Sequence, residues 1–139
     1  VQTCALPICP EILARSRAWL APGGRVIAST GNVALWYMRL SLLLGRFDYG
    51  RRGILDETHV HLYTRESFLQ LLQRSGLRAL REDVTVIPLE ALLPSLLGER
   101  GTGGLGRLLD SVSYELARLW PGALAYQFVV EAQPSEGAG

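Results

Sequence analysis

From Pro10 to Leu20 the chain reads as a helix, Ala21-Pro22-Gly23-Gly24 stops and turns it, and Arg25-Val26-Ile27-Ala28-Ser29 follows as a short β-branched run. Ile12, Leu13, Ser16, Trp19 and Leu20 fall on one stripe of a 3.6-residue period, which predicts a helix with one face against a core. Pro10 suits the first helical turn, where a missing N–H costs nothing. The glycines allow the tight reversal, and the β-branched run is a buried strand. Helix, tight turn, strand is the αβ half of a βαβ unit. That order constrains the chain to an α/β architecture.

The same grammar recurs downstream. Thr64 is placed to cap a helix over residues 65–75, with Glu66 in the first turn, where the helix dipole favours a negative charge. Phe68, Leu69, Leu71 and Leu72 form its apolar stripe, and Gly76 is the stop. Residues 77–87 read as a strand, with Arg81-Glu82-Asp83 as a polar interruption or bulge.

Between these units lies the part that chemistry would use. Thr30-Gly31-Asn32 ends the first strand, and ligands of open α/β sheets sit outside the carboxyl ends of strands. Residues 33–44 are apolar nearly all round, so this helix is buried or docks on something apolar. Residues 46–63 form a long loop bearing Phe47, Asp48, Tyr49 and Arg51-Arg52. Loops of that length in a compact domain are functional or disordered, and the aromatics argue against disorder.

Residues 89–97 read as a short helix broken near Pro94, and 98–106 as a Gly-rich loop. Leu105, Leu108, Leu109, Val112, Leu116 and Leu119 make a strong amphipathic helix, ended by Trp120-Pro121-Gly122. Residues 123–132 read as the last strand, and 133–139 as a frayed polar tail.

Composition removes several functions. With an apolar fraction of 48%, a charged fraction of 19% and a net charge of +1, there is no basic stripe of the kind nucleic-acid binders carry. All 14 basic residues are Arg, which fits a GC-rich genome. Cys4 and Cys9 match no metal spacing and no disulfide framework, so no metal site is assigned and a reducing cytoplasm is the expected location. No run reaches the roughly 18 apolar residues of a membrane span. No signal peptide is visible. Val1-Gln2-Thr3-Cys4-Ala5-Leu6-Pro7-Ile8 back-translates, codon for codon, to a sequence resembling a common sequencing adapter. Residues 1–9 are therefore expected to be a cloning or assembly scar, residues 10–132 the domain and 133–139 the tail.

Among motifs, Gly101-Thr102-Gly103-Gly104-Leu105-Gly106 follows a Pro-broken helix rather than a strand, and lacks a following Lys-Ser/Thr pair. It reads as a linker, not a phosphate loop. His59 and His61, behind Asp56-Glu57, share a face of an extended segment, but no third ligand cluster completes a metal site. They stand either as structural histidines or as acceptor-side groups, since a His near neutrality can act as general base for a hydroxyl. Trp36, Tyr37, Phe47 and Tyr49 are either ordinary core or a lid over an apolar or ring-bearing acceptor. Arg39, Arg46, Arg51 and Arg52 are a solvated face or partners for an acidic acceptor.

Taken together, Leu20-Ala21-Pro22-Gly23-Gly24-Arg25-Val26-Ile27-Ala28-Ser29 resembles the "L-x-P-G-G" turn and fifth strand of the class I S-adenosylmethionine-dependent methyltransferases. Asn32 stands where those proteins often carry "P-N", with Gly31 in place of the Pro. Arg39-Leu40, Leu44-Gly45-Arg46-Phe47-Asp48-Tyr49 and Gly53-Ile54-Leu55-Asp56-Glu57-Thr58-His59 look like a subgroup of the family. Thr64-Arg65-Glu66-Ser67-Phe68, with Leu71-Leu72 and Ser75-Gly76-Leu77, is similar to its "T-x-x-x-[LF]…LL…aGF" helix.

The resemblance implies the C-terminal portion of a Rossmann-like sheet, with a helical insertion and with the last strand antiparallel and inserted between its two predecessors. It implies methyl transfer from S-adenosylmethionine to an oxygen or nitrogen of a small-molecule, glycan or lipid-linked acceptor. The cofactor-binding residues would lie upstream of Pro10, leaving this chain alone inactive. On the acceptor side, Asn32, Tyr49, Asp56 and His61 would bind and His59 would orient or deprotonate the acceptor. Methyl transfer from a sulfonium asks mainly for in-line alignment of the nucleophile. The alternative is a non-enzymatic α/β domain that docks on a membrane surface or a protein partner through its apolar helices.

Overall fold

The computed structural model describes residues 9–48, 54–55, 61–87 and 104–135. In chain order they form α1 (Cys9–Trp19), β1 (Val26–Gly31), α2 (Trp36–Leu43), α3 (Arg65–Arg74), β2 (Leu77–Thr85), α4 (Gly104–Leu119), α5 (Pro121–Leu124) and β3 (Gln127–Pro134). The strands make one sheet in the order β1-β3-β2. β3 runs antiparallel to both neighbours, so β1 and β2 are parallel to each other. The α/β class and the insertion of the last strand between the other two are as the sequence led one to expect.

Local chemistry explains most of the elements. Thr64 Oγ1 accepts the Ser67 N–H at 3.2 Å, while the Thr64 N–H donates to Ser67 Oγ at 2.9 Å. This reciprocal capping box satisfies two donors that a helix start leaves over. Gly76, at φ +71°, takes the left-handed conformation that ends α3 and releases the chain straight into β2. The Arg17 guanidinium lies against its α-carbon, where a side chain would stand.

Phe128, Val130 and Ala132 alternate along β3 into the main core with Leu13 of α1, Phe68, Leu71 and Leu72 of α3, and Leu77 and Val84 of β2. Period-two burial of this kind marks one face of a sheet covered by helices. The expected polar interruption Arg81-Glu82-Asp83 pairs regularly with β3, and the bulge falls just before it, between Ala79 and Arg81. The extra residue, Leu80, is left outside the pairing and is exposed.

Four details differ from the sequence reading. The α1 stripe seats only Leu13 fully; Trp19 stands in solvent at the helix end. The last strand starts later and runs further, because Pro121 sets the first turn of α5, where its missing N–H is harmless. At its far end Gln133 and Pro134 still pair, and the Ser135 N–H donates to Gly76 O at 3.0 Å. Most consequential, the strong stripe of α4 faces outward: Leu108, Val112, Leu116 and Leu119 are exposed, while small Ala117 is buried and Tyr114 packs on the core. The expected Gly-rich loop over 98–106 also gives way to α4 from Gly104 on, and residues 98–103 lie outside the described residues.

Two features of β1 stand out. No described strand pairs with its outer edge, and Ile27, in mid-strand, is 69% exposed. Residues 1–8 and the expected helix over 89–97 lie outside the described residues.

Candidate functional site at the carboxyl ends of the strands

Beyond the carboxyl end of β1 the chain turns sharply, and one side chain organises the turn. Asn32 is wholly buried. Its Nδ2 donates to Ala125 O at 2.9 Å and more weakly to Pro121 O and Gly122 O, both at 3.3 Å. Its Oδ1 accepts the Ala34 N–H at 2.9 Å, an Asx turn that leads into α2. Its own N–H donates to Tyr126 O at 2.9 Å. Asn32 therefore ties together the end of β1, the start of α2, α5 and the approach to β3. Expected to face an acceptor, it is 0% exposed here, with both ends of its amide bonded within the chain.

The segment after the histidines is drawn to the same place. Asn32 and Tyr63 form a parallel bridge, and the Val33 N–H donates to Tyr63 O at 3.0 Å. The Tyr63 ring packs against Phe68, with centroids 6.0 Å apart, and has His61 at 6.2 Å on its other contact. Burial raises the Tyr63 hydroxyl pKa above its ordinary value. His61 is exposed here. On the other side of the loop, Ile54 is buried with Leu35 and Met38 in a second small core. A Cβ at Gly31 would sit 3.5 Å from Ile54 Cγ1, an ordinary van der Waals contact, so the loop lies against the strand end without depending on a glycine there. Tyr49, Asp56 and His59 lie outside the described residues.

Beside this turn is an apolar groove of about 280 Å³ lined by Leu35, Trp36, Val86, Ile87, Ser113, Leu116 and Leu124. Leu35 and Trp36 follow β1, and Val86 and Ile87 leave β2, so the groove sits at the carboxyl ends of both parallel strands. Ligands of open α/β sheets are found in this region. Ser113 is the one polar residue of the lining. Tyr37 and Tyr126 pack on the small core next to it. The Tyr37 hydroxyl is held above its ordinary pKa, first by burial and second by Tyr126. The Tyr37 phenol therefore stays neutral at physiological pH.

Sequence reasoning picked out Trp36 as an aromatic near the site, but not Ser113, Leu116 or Leu124. A helical period shows which residues share a face of α4, not what that face meets. Arg39 was grouped with solvated or acid-binding arginines. Its Nε donates to Ala34 O at 2.6 Å and its Nη2 to Gly122 O at 3.4 Å, so it braces α2 against α5.

No acidic side chain stands at the carboxyl end of β1 to hold a ribose, and no Gly-rich loop follows a strand among the described residues. No group of three His, Cys, Asp or Glu side chains comes together among them either. None of the described helices is long and apolar enough to cross a membrane. The sequence matches no known protein-family model and no curated protein.

Proposed function

We propose that this chain is the acceptor-side half of a class I methyltransferase, acting with a cofactor-binding half that holds S-adenosylmethionine. The observation that carries the reading is the strand order: a last strand lying between its two predecessors and antiparallel to both. The outer edge of β1, which no described strand pairs, and the exposed Ile27 support it, because further strands and a covering helix would occupy them. On this reading the apolar groove takes a ring or alkyl part of the acceptor. His59 orients or deprotonates the nucleophile, and Tyr49, Asp56 and His61 bind the acceptor. Its support is that the chain on both sides of residues 56–60, Ile54 and Tyr63, is anchored at the carboxyl end of β1.

The test starts from the source DNA upstream of Pro10. Expressing the longer reading frame should yield a protein that binds S-adenosylmethionine by calorimetry, and a His59→Ala variant of it should bind the cofactor unchanged but transfer methyl at least ~100-fold more slowly, the scale of a lost general base. A longer product with no Gly-rich loop and no cofactor binding refutes the reading. A second reading is favoured by one specific observation, the outward apolar faces of α2 and α4. In it the chain is a non-enzymatic domain that docks on a membrane surface or a protein through them. Co-sedimentation with vesicles distinguishes the two, since a membrane-docking module must bind and the enzyme half need not.

A further inference from the structure

The largest unexplained feature of the surface is apolar. On α2, Trp36, Leu40, Leu43 and Leu44 recur at i, i+4, i+7 and i+8 and are exposed, Leu43 at 83%. On α4, Leu108, Val112, Leu116 and Leu119 recur at i, i+4, i+8 and i+11 with Trp120 beside them, Leu119 at 82% exposed. The two stripes meet at the groove that Trp36 and Leu116 both line. Large aromatic side chains carry ~150–250 Å² each, so these exposed fractions together amount to on the order of 1,000 Å². Monomers rarely leave more than ~300–600 Å² of contiguous apolar surface open. A standard interface takes ~800 Å² from each partner.

We infer that this surface is an interface between two copies of the chain, packed α2 and α4 against α2 and α4 of the second copy. Three observations select that occupant. The first is the area, which matches what a stable dimer buries. The second is the ridge Leu108-Val112-Leu116, an i±4 row of the kind that interdigitates with an identical row when helices cross. The third is charge. Among described side chains α4 carries Arg107 and Arg118 against Asp110 and Glu115, a balance that repels neither copy. An anionic lipid surface calls for a basic rim; on α4 Arg107 and Arg118 are offset by Asp110 and Glu115, and on α2 Arg39 is spent on the carbonyls of Ala34 and Gly122. In the dimer the second copy roofs the groove beside Trp36, which is open in a single copy.

The experiment is sedimentation velocity and light scattering on the full chain from 1 to 100 µM, in wild type, in Leu43→Glu/Leu119→Glu and in Ile27→Glu. Both leucines are so exposed that their replacement leaves the fold intact, which far-UV circular dichroism verifies. The expected result is a discrete dimer in wild type and in Ile27→Glu, with at least ~100-fold weaker association in the double variant. A monomer at 100 µM overturns the proposal, as does a dimer indifferent to the leucine pair. Association lost instead in Ile27→Glu places self-contact on the sheet face and also overturns it. A monomer that co-sediments with phosphatidylglycerol vesicles through the same leucines makes the occupant a membrane. None of these outcomes depends on cofactor binding, so the dimer and the methyltransferase reading fail separately.

Discussion

Asn32→Ala tests the organisation of the strand end directly. The substitution removes the amide that serves Ala125 O at 2.9 Å and the Pro121 and Gly122 carbonyls at 3.3 Å. It also removes the acceptor of the Ala34 N–H. A buried carbonyl left without a donor costs ~1–3 kcal/mol, and an ordinary hydrogen bond lost costs ~0.5–1.5 kcal/mol. The two more weakly held carbonyls recover water and add little. The expected loss is therefore ~2–4 kcal/mol, read by urea unfolding followed by circular dichroism.

Asn32→Asp sharpens the test. It keeps the Oδ1 acceptor for Ala34 but turns a second oxygen toward three carbonyl oxygens, at a position that is wholly buried. The charged form is disfavoured on both counts, so the folded-state pKa of that Asp rises above its unfolded value of about 3.9. The unfolded state then binds fewer protons between the two pKa values, and stability falls as pH rises through that window. At pH 7 the Asp variant should be less stable than Asn32→Ala and should recover relative to wild type on acidification toward pH 4. A loss below ~1 kcal/mol for the Ala variant, or an Asp variant whose deficit is flat with pH, refutes the account of Asn32 as a buried clamp.

Other outcomes follow from single contacts. Thr85 Oγ1 is buried with no hydrogen-bond partner among the described residues, so Thr85→Val should be neutral or stabilising by up to ~1 kcal/mol in urea unfolding; a clear loss would mean the hydroxyl has a partner. Tyr114 Oη donates to Asp83 Oδ1 at 2.7 Å, and that bond, followed by the Val84 N–H, lowers the Asp83 pKa. The contribution is present above the unfolded carboxylate pKa and is lost as pH falls through the lowered folded value. The stability difference between wild type and Tyr114→Phe should accordingly shrink as pH drops below about 4, and a difference that grows there would contradict the assignment. Gly76→Ala forces a side chain into a positive-φ position and onto the Arg17 guanidinium, so it should destabilise by ~1–3 kcal/mol; thermal unfolding unchanged within a degree would rule out the strain.

Much of the fold was legible in the residue order. Pro22-Gly23-Gly24, Thr64 with the stripe through Leu72, Gly76 and the alternation from Phe128 to Ala132 act over a few positions. Their helix, turn and strand preferences therefore appear in the sequence before any contact forms. The site was less legible. Asn32 carries the same amide whether it meets a ligand or three carbonyls of its own chain, and those carbonyls lie about ninety residues away in sequence. The α4 stripe was visible as a stripe, but periodicity says only which residues share a face. Residue type and spacing thus determined the elements of this protein and the polarity of their faces. The inward turn of Asn32 and the outward turn of Leu108, Val112, Leu116 and Leu119 were decided only by tertiary structure, because they depend on which distant surfaces meet.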